Sequence, residues 1–197
     1  MYKIGVTGGI GSGKSTVCEL LRDRGVAVYD SDSRAKQLMA ESEALREQLT
    51  ATFGAECYNA EGLDRAFLAS KVFGNEEALQ QLNSIVHPAV RADFQTWAEQ
   101  QQQSPYVVLE SAILFEAGFE TEVDATLAVM APMPMRLERT MARDGVDKES
   151  VMRRMEHQLS DDELHRRASR TIVNINREYL EGDIEQLHKI FVYESQR

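Results

Sequence analysis

The feature that most restricts the fold is a group of glycines between a predicted strand and a predicted helix near the amino terminus. The segment GGIGSGKS, residues 8–15, fits the pattern G-x-x-x-x-G-K-[ST]. Residues 2–7 before it are rich in β-forming side chains, and the residues after it place apolar side chains at helical spacing. A strand, a glycine loop and a helix in this order predict that backbone N–H groups turn inward around a phosphate group.

Three kinds of residue in this loop have separate predicted tasks. Glycines let consecutive N–H groups converge on phosphate oxygens, Lys14 reaches the β and γ phosphates, and Ser15 offers its hydroxyl to Mg²⁺. We expect ATP and Mg²⁺ as ligands, with Ser15 as the metal-binding residue. The residues predicted to bind ATP here are Gly8, Gly9, Gly11, Ser12, Gly13, Lys14, Ser15 and Thr16.

Composition limits the classes of partner. The chain of 197 residues has 32 acidic residues and 22 Lys or Arg residues, for a formal charge of −10, and this mean negative field repels a polyanion such as DNA. Two cysteines without metal-ligand spacing favour a reducing compartment. The negative charge predicts that nucleic acid is not a partner. Because neither a signal peptide nor a long apolar run is recognised, we also expect a cytoplasmic protein without a membrane partner. The sequence predicts no oligomeric state.

Alternating strand and helix patterns predict an α/β fold with a parallel five-stranded sheet covered on both faces. Besides the first strand, short apolar or β-branched runs predict strands at 26–29, 106–109, 125–130 and 170–173. The predicted organisation is a single domain in three parts: a core of residues 1–32, 104–133 and 168–197, an almost wholly helical insertion at about 33–103, and a helical lid at about 134–167.

Acidic residues follow two of the predicted strands. Asp30 and Asp32 come after the second, at the edge where open α/β sheets bind ligands. As strand-end residues i and i+2, they are predicted to point the same way and to deprotonate or orient an acceptor hydroxyl, or to hold Mg²⁺ through water. The alternative is that they cap the next helix. Glu110 directly follows the predicted strand at 106–109, and Glu116 lies six residues further on. Each is predicted to be either a second acid near the metal or a solvated carboxylate.

Arginines are concentrated in the predicted lid. Arg136, Arg139 and Arg143 share one helical face, with acidic residues interleaved. They are either exposed ion pairs or part of a mobile lid that brings guanidinium groups onto a transferred phosphoryl group. His87, directly before Pro88, fits a core or helix-terminal histidine more simply than a catalyst.

These motifs together resemble the dephospho-coenzyme A kinase family over almost the whole chain. VTGGIGSGKSTV and YDSDSRAK resemble its phosphate loop and Asp-x-Asp segment. LDRAFLASKVF followed by HPAVR is the most distinctive match, because general P-loop kinases lack it, and LFEAG, RLERTMARDG and RMEHQLS resemble the later motifs in order. The resemblance implies a P-loop NTPase-type three-layer sandwich with a helical acceptor-binding insertion and a helical lid.

The resemblance also implies an activity: transfer of the γ-phosphoryl group of Mg-ATP to the ribose 3′-hydroxyl of dephospho-CoA, the last step of coenzyme A synthesis. The implied catalytic residues are Asp32, as the base for that hydroxyl, Lys14 and Arg139. ATP binding extends to Arg143 in the lid and to Asn174 near the adenine. The implied acceptor-binding residues are Asp30, Arg65, His87 and Glu116.

The chain departs from the family pattern at two places. Glu110 stands where the family commonly has Asp before its LFEAG-like segment. In the lid, Leu164 and Ser169 stand where Lys and Asp are usual. The positive charge that the lysine would supply must then come from Arg166 or Arg167. The phosphate loop and the Asp-x-Asp segment are unaffected.

Two other functions are considered. A different small-molecule P-loop kinase is disfavoured by the LDRAFLASKVF and HPAV pair. A non-catalytic nucleotide-binding module would leave Asp30 and Asp32 without a task.

Overall fold

The computed structural model describes residues 1–197 and divides into two compact units. Residues 1–30 and 97–197 form the first unit, and residues 31–96 form the second. The strands and α-helices follow in chain order as β1 (Lys3–Thr7), α1 (Lys14–Arg22), β2 (Ala27–Asp30), α2 (Ser31–Glu41), α3 (Glu43–Phe53), β3 (Tyr58–Asn59), β4 (Gly62–Leu63), α4 (Arg65–Val72), α5 (Glu76–Glu99), β5 (Val107–Glu110), β6 (Ala125–Met130), α6 (Met133–Asp144), α7 (Lys148–Glu156), α8 (Asp161–Arg167), β7 (Arg170–Val173) and α9 (Arg177–Ser195). Short 3₁₀ turns lie at Ala55–Cys57 and Phe119–Glu122.

The first unit is built on a five-stranded sheet in the order β2-β5-β1-β6-β7. Every neighbouring pair is parallel. Parallel neighbours need a crossover connection, which the intervening segments of the chain provide. The prediction of a parallel five-stranded sheet is therefore confirmed, and all five strands end at one carboxyl edge.

The core of this unit joins the central strands to α1 and α9. Ile4 and Val6 of β1, Leu21 of α1 and Leu180 and Phe191 of α9 belong to one cluster of buried side chains. Burying an aliphatic or aromatic side chain of this size stabilises a fold by about 1.5–3 kcal/mol. The end of β1 and the start of α1 are thus held on a rigid base, and the glycine loop joins these two fixed points.

The second unit contains α2 to α4, most of α5 and a two-stranded hairpin that the sequence analysis missed. β3 pairs antiparallel with β4 through Tyr58 and Leu63. The Tyr58 hydroxyl donates a hydrogen bond of 2.6 Å to the Met39 carbonyl oxygen. Two residues in each strand are too few for the apolar alternation by which strands are recognised. The unit covers 31–96, where the sequence predicts an insertion at about 33–103.

Residues 134–167 fall mainly in three separate helices. α6 ends at Asp144 and is capped by Gly145, whose φ of 66° is readily adopted only by glycine. α7 and α8 each begin after a capping side chain, Asp147 and Ser160, that accepts a hydrogen bond from a backbone N–H of the first turn. Such caps stabilise a helix by about 1 kcal/mol. Across the whole chain, no helix is both long and apolar enough to cross a membrane.

Candidate nucleotide site

The glycine loop connects the end of β1 at Thr7 to the start of α1 at Lys14. Gly11 and Gly13 have φ values of 75° and 93°, in the left-handed region that favours glycine. Gly13 is the N-cap of α1 and offers no side chain to the first turn. The first N–H groups of a helix have no partner within the helix, so this end of α1 is suited to receive an anion.

The loop glycines are also required by close neighbours from elsewhere in the unit. A Cβ atom on Gly9 would lie 2.0 Å from Nη2 of Arg136, and one on Gly11 would lie 2.3 Å from the Arg136 carbonyl oxygen. A Cβ atom on Gly13 would lie 2.0 Å from Nδ2 of Asn174. Larger residues at these positions would therefore push the loop away from α6 and from the end of β7.

Polar side chains lie along the loop and at its two ends. Nζ of Lys14 donates a hydrogen bond of 2.7 Å to the Gly8 carbonyl oxygen. The hydroxyl oxygens of Thr7 and Ser12 are buried without a hydrogen-bond partner, and leaving such a group unpaired costs about 1–3 kcal/mol. The exposed Ser15 is the second residue of α1. This combination of donors and hydroxyls fits a phosphate-containing ligand.

A small cavity lies beside the loop on the side of β7. The Asn174 side chain donates a hydrogen bond of 2.9 Å to the Ser12 carbonyl oxygen. Nη1 of Arg139 donates to the Asn174 carbonyl oxygen at 3.2 Å, and Nη2 donates to that of Ile175 at 3.3 Å. The cavity has a volume of about 270 Å³ and is lined by Gly13, Thr16, Arg139, Asn174 and Arg177. The structure thus brings two predicted residues, Arg139 and Asn174, to the loop.

Two carboxylates end neighbouring strands at the same edge. Asp30 of β2 is in register with Glu110 of β5. Burial raises the pKa of Glu110, and the nearby charge of Asp30 acts in the same direction; a hydrogen bond from Cys18 and the charge of Lys14 oppose this shift. Burial, together with Glu110, raises the pKa of the Cys18 thiol well above its ordinary value, so the thiol remains a donor to Glu110.

The raised pKa of Glu110 predicts a pH-dependent stability. The folded protein holds this proton more tightly than the unfolded chain, so ionising Glu110 costs folding free energy as the pH rises from about 4.5 through the folded-state pKa. We expect Glu110→Gln to raise the Tm at neutral pH, with a gain that shrinks toward pH ~4, the unfolded-state range. Calorimetry across this range measures the effect, and the exposed Glu138→Gln should change stability by at most about 0.5 kcal/mol. A lower Tm for Glu110→Gln at neutral pH contradicts the prediction.

Asp32 lies in a different local structure from Asp30. Asp30 is the last residue of β2, whereas α2 begins at Ser31 and includes Asp32 in its first turn. The prediction that the two carboxylates follow strand alternation is therefore wrong, because the chain becomes helical between them. The Asp32 side chain is exposed, and its role as the base stays a prediction.

The three arginines on one face of α6 have different surroundings. Arg136 is buried, and its Nε donates a hydrogen bond of 3.0 Å to the Ile10 carbonyl oxygen. Arg139 lies against the end of β7. Arg143 is exposed and pairs with Asp144, Nε to Oδ1, at 2.7 Å. The shared face predicted by the sequence is therefore divided among three sets of partners.

Asp144 joins two of the predicted lid helices. Its Oδ2 pairs with Nη1 of Arg154 in α7 at 2.6 Å, while its Oδ1 pairs with Arg143 in α6. The hydrogen bonds from Arg143 and Arg154 hold the pKa of Asp144 well below its usual range. In this structure the two guanidinium groups are exposed ion-pair partners, which is one of the alternatives that the sequence left open.

The remaining predicted residues of the first unit lie in α8 or contact the residues just before it. Oε1 of Glu116 accepts a hydrogen bond of 3.3 Å from the Leu159 N–H. Of the two candidates for the lid's cation, Arg166 forms an ion pair within its own helix. Arg167 pairs with Glu120, Nη2 to Oε1, at 2.7 Å. These contacts connect the segment after β5 to the predicted lid.

Two predicted acceptor-binding residues lie on helices of the second unit. Arg65 is the exposed first residue of α4, whose cap Asp64 accepts a hydrogen bond of 2.9 Å from the first turn. His87 is half-buried within α5, and its burial and the charge of Arg91 lower its pKa. A lowered pKa keeps the imidazole neutral at neutral pH, so His87 offers one donor and one acceptor nitrogen.

Sequence reasoning missed two contacts at this site. The N–H of Ile10 donates a hydrogen bond of 2.8 Å to Oε1 of Gln158, and the Cys18 thiol donates to Glu110. Gln158 lies in RMEHQLS, one of the motifs that carry the family resemblance. The motif indicates that the segment matters, but not that its glutamine bonds to the phosphate loop.

The comparisons with known proteins identify the family. The sequence profile of dephospho-CoA kinases matches residues 2–179. The chain belongs to this family. A dephospho-CoA kinase of Bacteroides fragilis is 41% identical over 172 residues, which cover 87% of this chain and 84% of that protein. One from Salinibacter ruber is 43% identical over 177 residues, covering 88% and 89%.

Solved structures share the fold of this chain. A crystal structure of a Thermus thermophilus protein is 38% identical, with a TM-score of 0.82 and coverage of 98% of this chain and 97% of that one. A dephospho-CoA kinase from Campylobacter jejuni (24% identity, TM-score 0.71) and a shikimate kinase from Acinetobacter baumannii (15%, 0.55) share the fold. The predictions of a P-loop NTPase-type fold and of a dephospho-CoA kinase, a transferase of coenzyme A biosynthesis, are confirmed; the two other functions are not favoured.

Proposed function

We propose that this kinase binds Mg-ATP at the loop between β1 and α1 and transfers the γ-phosphoryl group to the ribose 3′-hydroxyl of dephospho-CoA. The observation that carries the proposal is the loop itself. It joins β1 to the start of α1, and the charge of Lys14 acts on Glu110, which ends its strand in register with Asp30. Positive charge and acidic metal-binding groups are thus adjacent, as phosphoryl transfer from a Mg-nucleotide requires.

The residues at this edge fit a magnesium ion. Mg²⁺ usually takes only one or two protein ligands and fills its other positions with phosphate oxygens and water. Ser15 would hold it directly, and Asp30 with Glu110 through water. When bound, the ion neutralises charge on the phosphate oxygens.

The cavity beside β7 supports a site for the base end of ATP. It adjoins Gly13 and Thr16 of the loop, and Arg139 and Asn174 line its other side. The resemblance implies a catalytic role for Arg139. Because Arg139 donates to carbonyl oxygens at the end of β7, we propose instead that it positions the base and ribose. Arg143, which is exposed and held by Asp144 in this structure, would contact the phosphates.

In the proposed reaction, the 3′-oxygen of the acceptor ribose attacks the γ-phosphorus. The O3′–P bond forms as the bond between the γ-phosphorus and the β,γ-bridging oxygen breaks, and ADP leaves. The hydroxyl proton passes to the carboxylate of Asp32, while Lys14 stabilises charge on the phosphate oxygens. Asp30, Arg65, His87 and Glu116 are proposed to bind or orient the acceptor.

The proposed setting is the cytoplasm, with ATP and dephospho-CoA as small-molecule partners and neither nucleic acid nor membrane as a partner. The formal charge of −10 supports the exclusion of polyanions. The activity test is ATP consumption by the purified protein with and without dephospho-CoA, with mass-spectrometric detection of coenzyme A. Equal consumption with a nucleoside monophosphate or shikimate in place of dephospho-CoA would contradict the assigned acceptor.

Arg65 allows a test of the acceptor site. Arg65→Ala should raise the KM for dephospho-CoA roughly tenfold or more, since it removes a charged hydrogen-bond donor, and should leave the KM for ATP within about twofold. Steady-state kinetics with each substrate varied measures both constants. Lys71→Ala, which removes an exposed cation from the same helix, is the control. Equal increases in both constants for Arg65→Ala would show that Arg65 has only a structural role.

A further inference from the structure

The backbone N–H and carbonyl groups of Ile10, in the phosphate loop, each form a hydrogen bond with a side chain from the predicted lid. The Ile10 N–H donates to Oε1 of Gln158 at 2.8 Å, and Nε of Arg136 donates to the Ile10 carbonyl oxygen at 3.0 Å. Arg136 belongs to α6, and Gln158 lies between α7 and α8. The loop is thus attached to two separate parts of this segment.

Arg136 also has a second anchor. Its side chain is only 8% exposed, and Nη1 pairs with Oδ1 of Asp161, the first residue of α8, at 2.6 Å. Its Nη2 packs so closely over Gly9 that a Cβ atom there would lie 2.0 Å away. A buried guanidinium needs a charged partner, and its planar fork can bond two acceptors at once, which a lysine ammonium on a flexible stem does less well.

We propose that Arg136 is a positioning residue for the phosphate loop, and that through Ile10, Gln158 and Asp161 it makes the loop's affinity for nucleotide phosphates depend on the segment 158–161. The inference rests on the proposed binding of Mg-ATP at this loop. A loop that is already held in its binding conformation loses less freedom when the ligand arrives. Breaking the hydrogen bonds that hold the loop at Ile10 lowers the fraction of molecules that are competent to bind nucleotide, and it raises the apparent Kd for nucleotide in proportion.

Thermodynamic linkage makes the coupling reciprocal. If the segment 158–161 orders the loop, a nucleotide that orders the loop must stabilise the segment by the same free energy. We therefore expect ATP to slow hydrogen exchange of the backbone amides in 158–161 as well as in the loop. The same ATP concentration should slow exchange in 158–161 much less in Arg136→Gln.

The main test compares matched arginine substitutions. Arg136→Gln should raise the equilibrium Kd for ATP and for ADP roughly tenfold or more, whereas Arg136→Lys, which keeps the charge, should recover part of this loss. Arg170→Gln is the control, because Arg170 also pairs with a half-buried carboxylate, that of Glu194, at 2.5 Å, but at the start of β7. It should lower the Tm and leave both Kd values within about twofold. Titration calorimetry, at a temperature where every variant is folded, measures the Kd values.

Two milder variants keep the proposal testable if Arg136→Gln does not fold. Gln158→Ala removes the acceptor for the Ile10 N–H and leaves the buried ion pair in place. Gly9→Ala displaces the guanidinium without changing Arg136; the φ of Gly9 is not positive, so an alanine backbone fits. Both should raise the Kd for ATP. Where Arg136→Gln does fold, Gly9→Ala should add little in that background, since the two changes act on one contact.

The proposal is overturned if ATP affinity is unchanged in Gln158→Ala and Gly9→Ala, or if Arg136→Gln lowers the Tm like Arg170→Gln and leaves the Kd for ATP unchanged. The binding assay contains no dephospho-CoA, so it separates this inference from the proposed function. A protein that binds ATP with the expected dependence on Arg136, yet transfers no phosphoryl group to dephospho-CoA, would contradict the function and support the positioning role.

Discussion

Lys14→Ala is expected to lower kcat by about 10²–10³-fold, the range found when one donor to a developing negative charge is removed. Lys14 is the first residue of α1, and its ammonium group lies at the loop, 2.7 Å from the Gly8 carbonyl oxygen. No other lysine or arginine belongs to the glycine loop. Rates of ADP release in the presence of dephospho-CoA measure the effect.

The fall in kcat should reflect lost catalysis and not unfolding, because other contacts hold the loop in its conformation. Close packing of Gly9 and Gly11 against α6 and the bond from Asn174 to Ser12 do not involve Lys14. The variant should therefore keep the circular dichroism spectrum of the parent. Lys189→Ala, which removes an exposed lysine of α9 paired with Glu185, should keep nearly full activity. Near-normal turnover in Lys14→Ala would overturn the assignment of the loop.

The phosphate loop could be predicted from the sequence because its determinants are local. A β-rich segment, glycines at fixed spacing and a helical pattern are contiguous in residues 2–24, so no distant contact is needed to recognise them. The structure adds the reasons for particular glycines. Gly11 and Gly13 have positive φ values, whereas position 9 requires a glycine because Arg136 packs against it and leaves no room for a side chain. The second reason involves a residue far along the chain and cannot be read from the motif.

The contacts of the arginines show where sequence periodicity stops being informative. Helical spacing correctly places Arg136, Arg139 and Arg143 on one face of α6. It gives no information on which of them is buried, because burial depends on what packs against the helix. Arg136 bonds to Ile10, 126 positions away, and Arg139 to Asn174, 35 positions away. Such pairings depend on the order of the strands, which one sequence does not specify.

Helix boundaries limit the prediction of the acidic site in the same way. The end of β2 at Asp30 was predictable to within a residue or two. The start of α2 at Ser31 decides that Asp30 is extended and Asp32 is helical, and boundaries are the least certain feature of a sequence pattern. The Cys18–Glu110 hydrogen bond joins α1 to β5, and no local signal marks it.

Asp32→Asn is expected to lower kcat by about 10²–10⁴-fold, the usual contribution of a general base, with little change in the affinity for ATP. Asparagine keeps the size of the side chain and a hydrogen-bond acceptor, but it cannot take the proton of the attacking hydroxyl. Phosphoryl transfer passes through a loose transition state in which positioning and charge neutralisation contribute more than the base. The decrease should therefore fall toward the lower end of this range.

Asp30→Asn is the matched comparison, because it makes the same change two residues earlier, at the end of β2. Asp30 is in register with Glu110, so its proposed task is to hold Mg²⁺ through water and to orient the acceptor. The kcat of Asp30→Asn should therefore fall less than that of Asp32→Asn. A variant Asp32→Asn that keeps most of its kcat, while Asp30→Asn loses it, would show that the base is Asp30 on the strand, and that Asp32 in the first turn of α2 orients the acceptor.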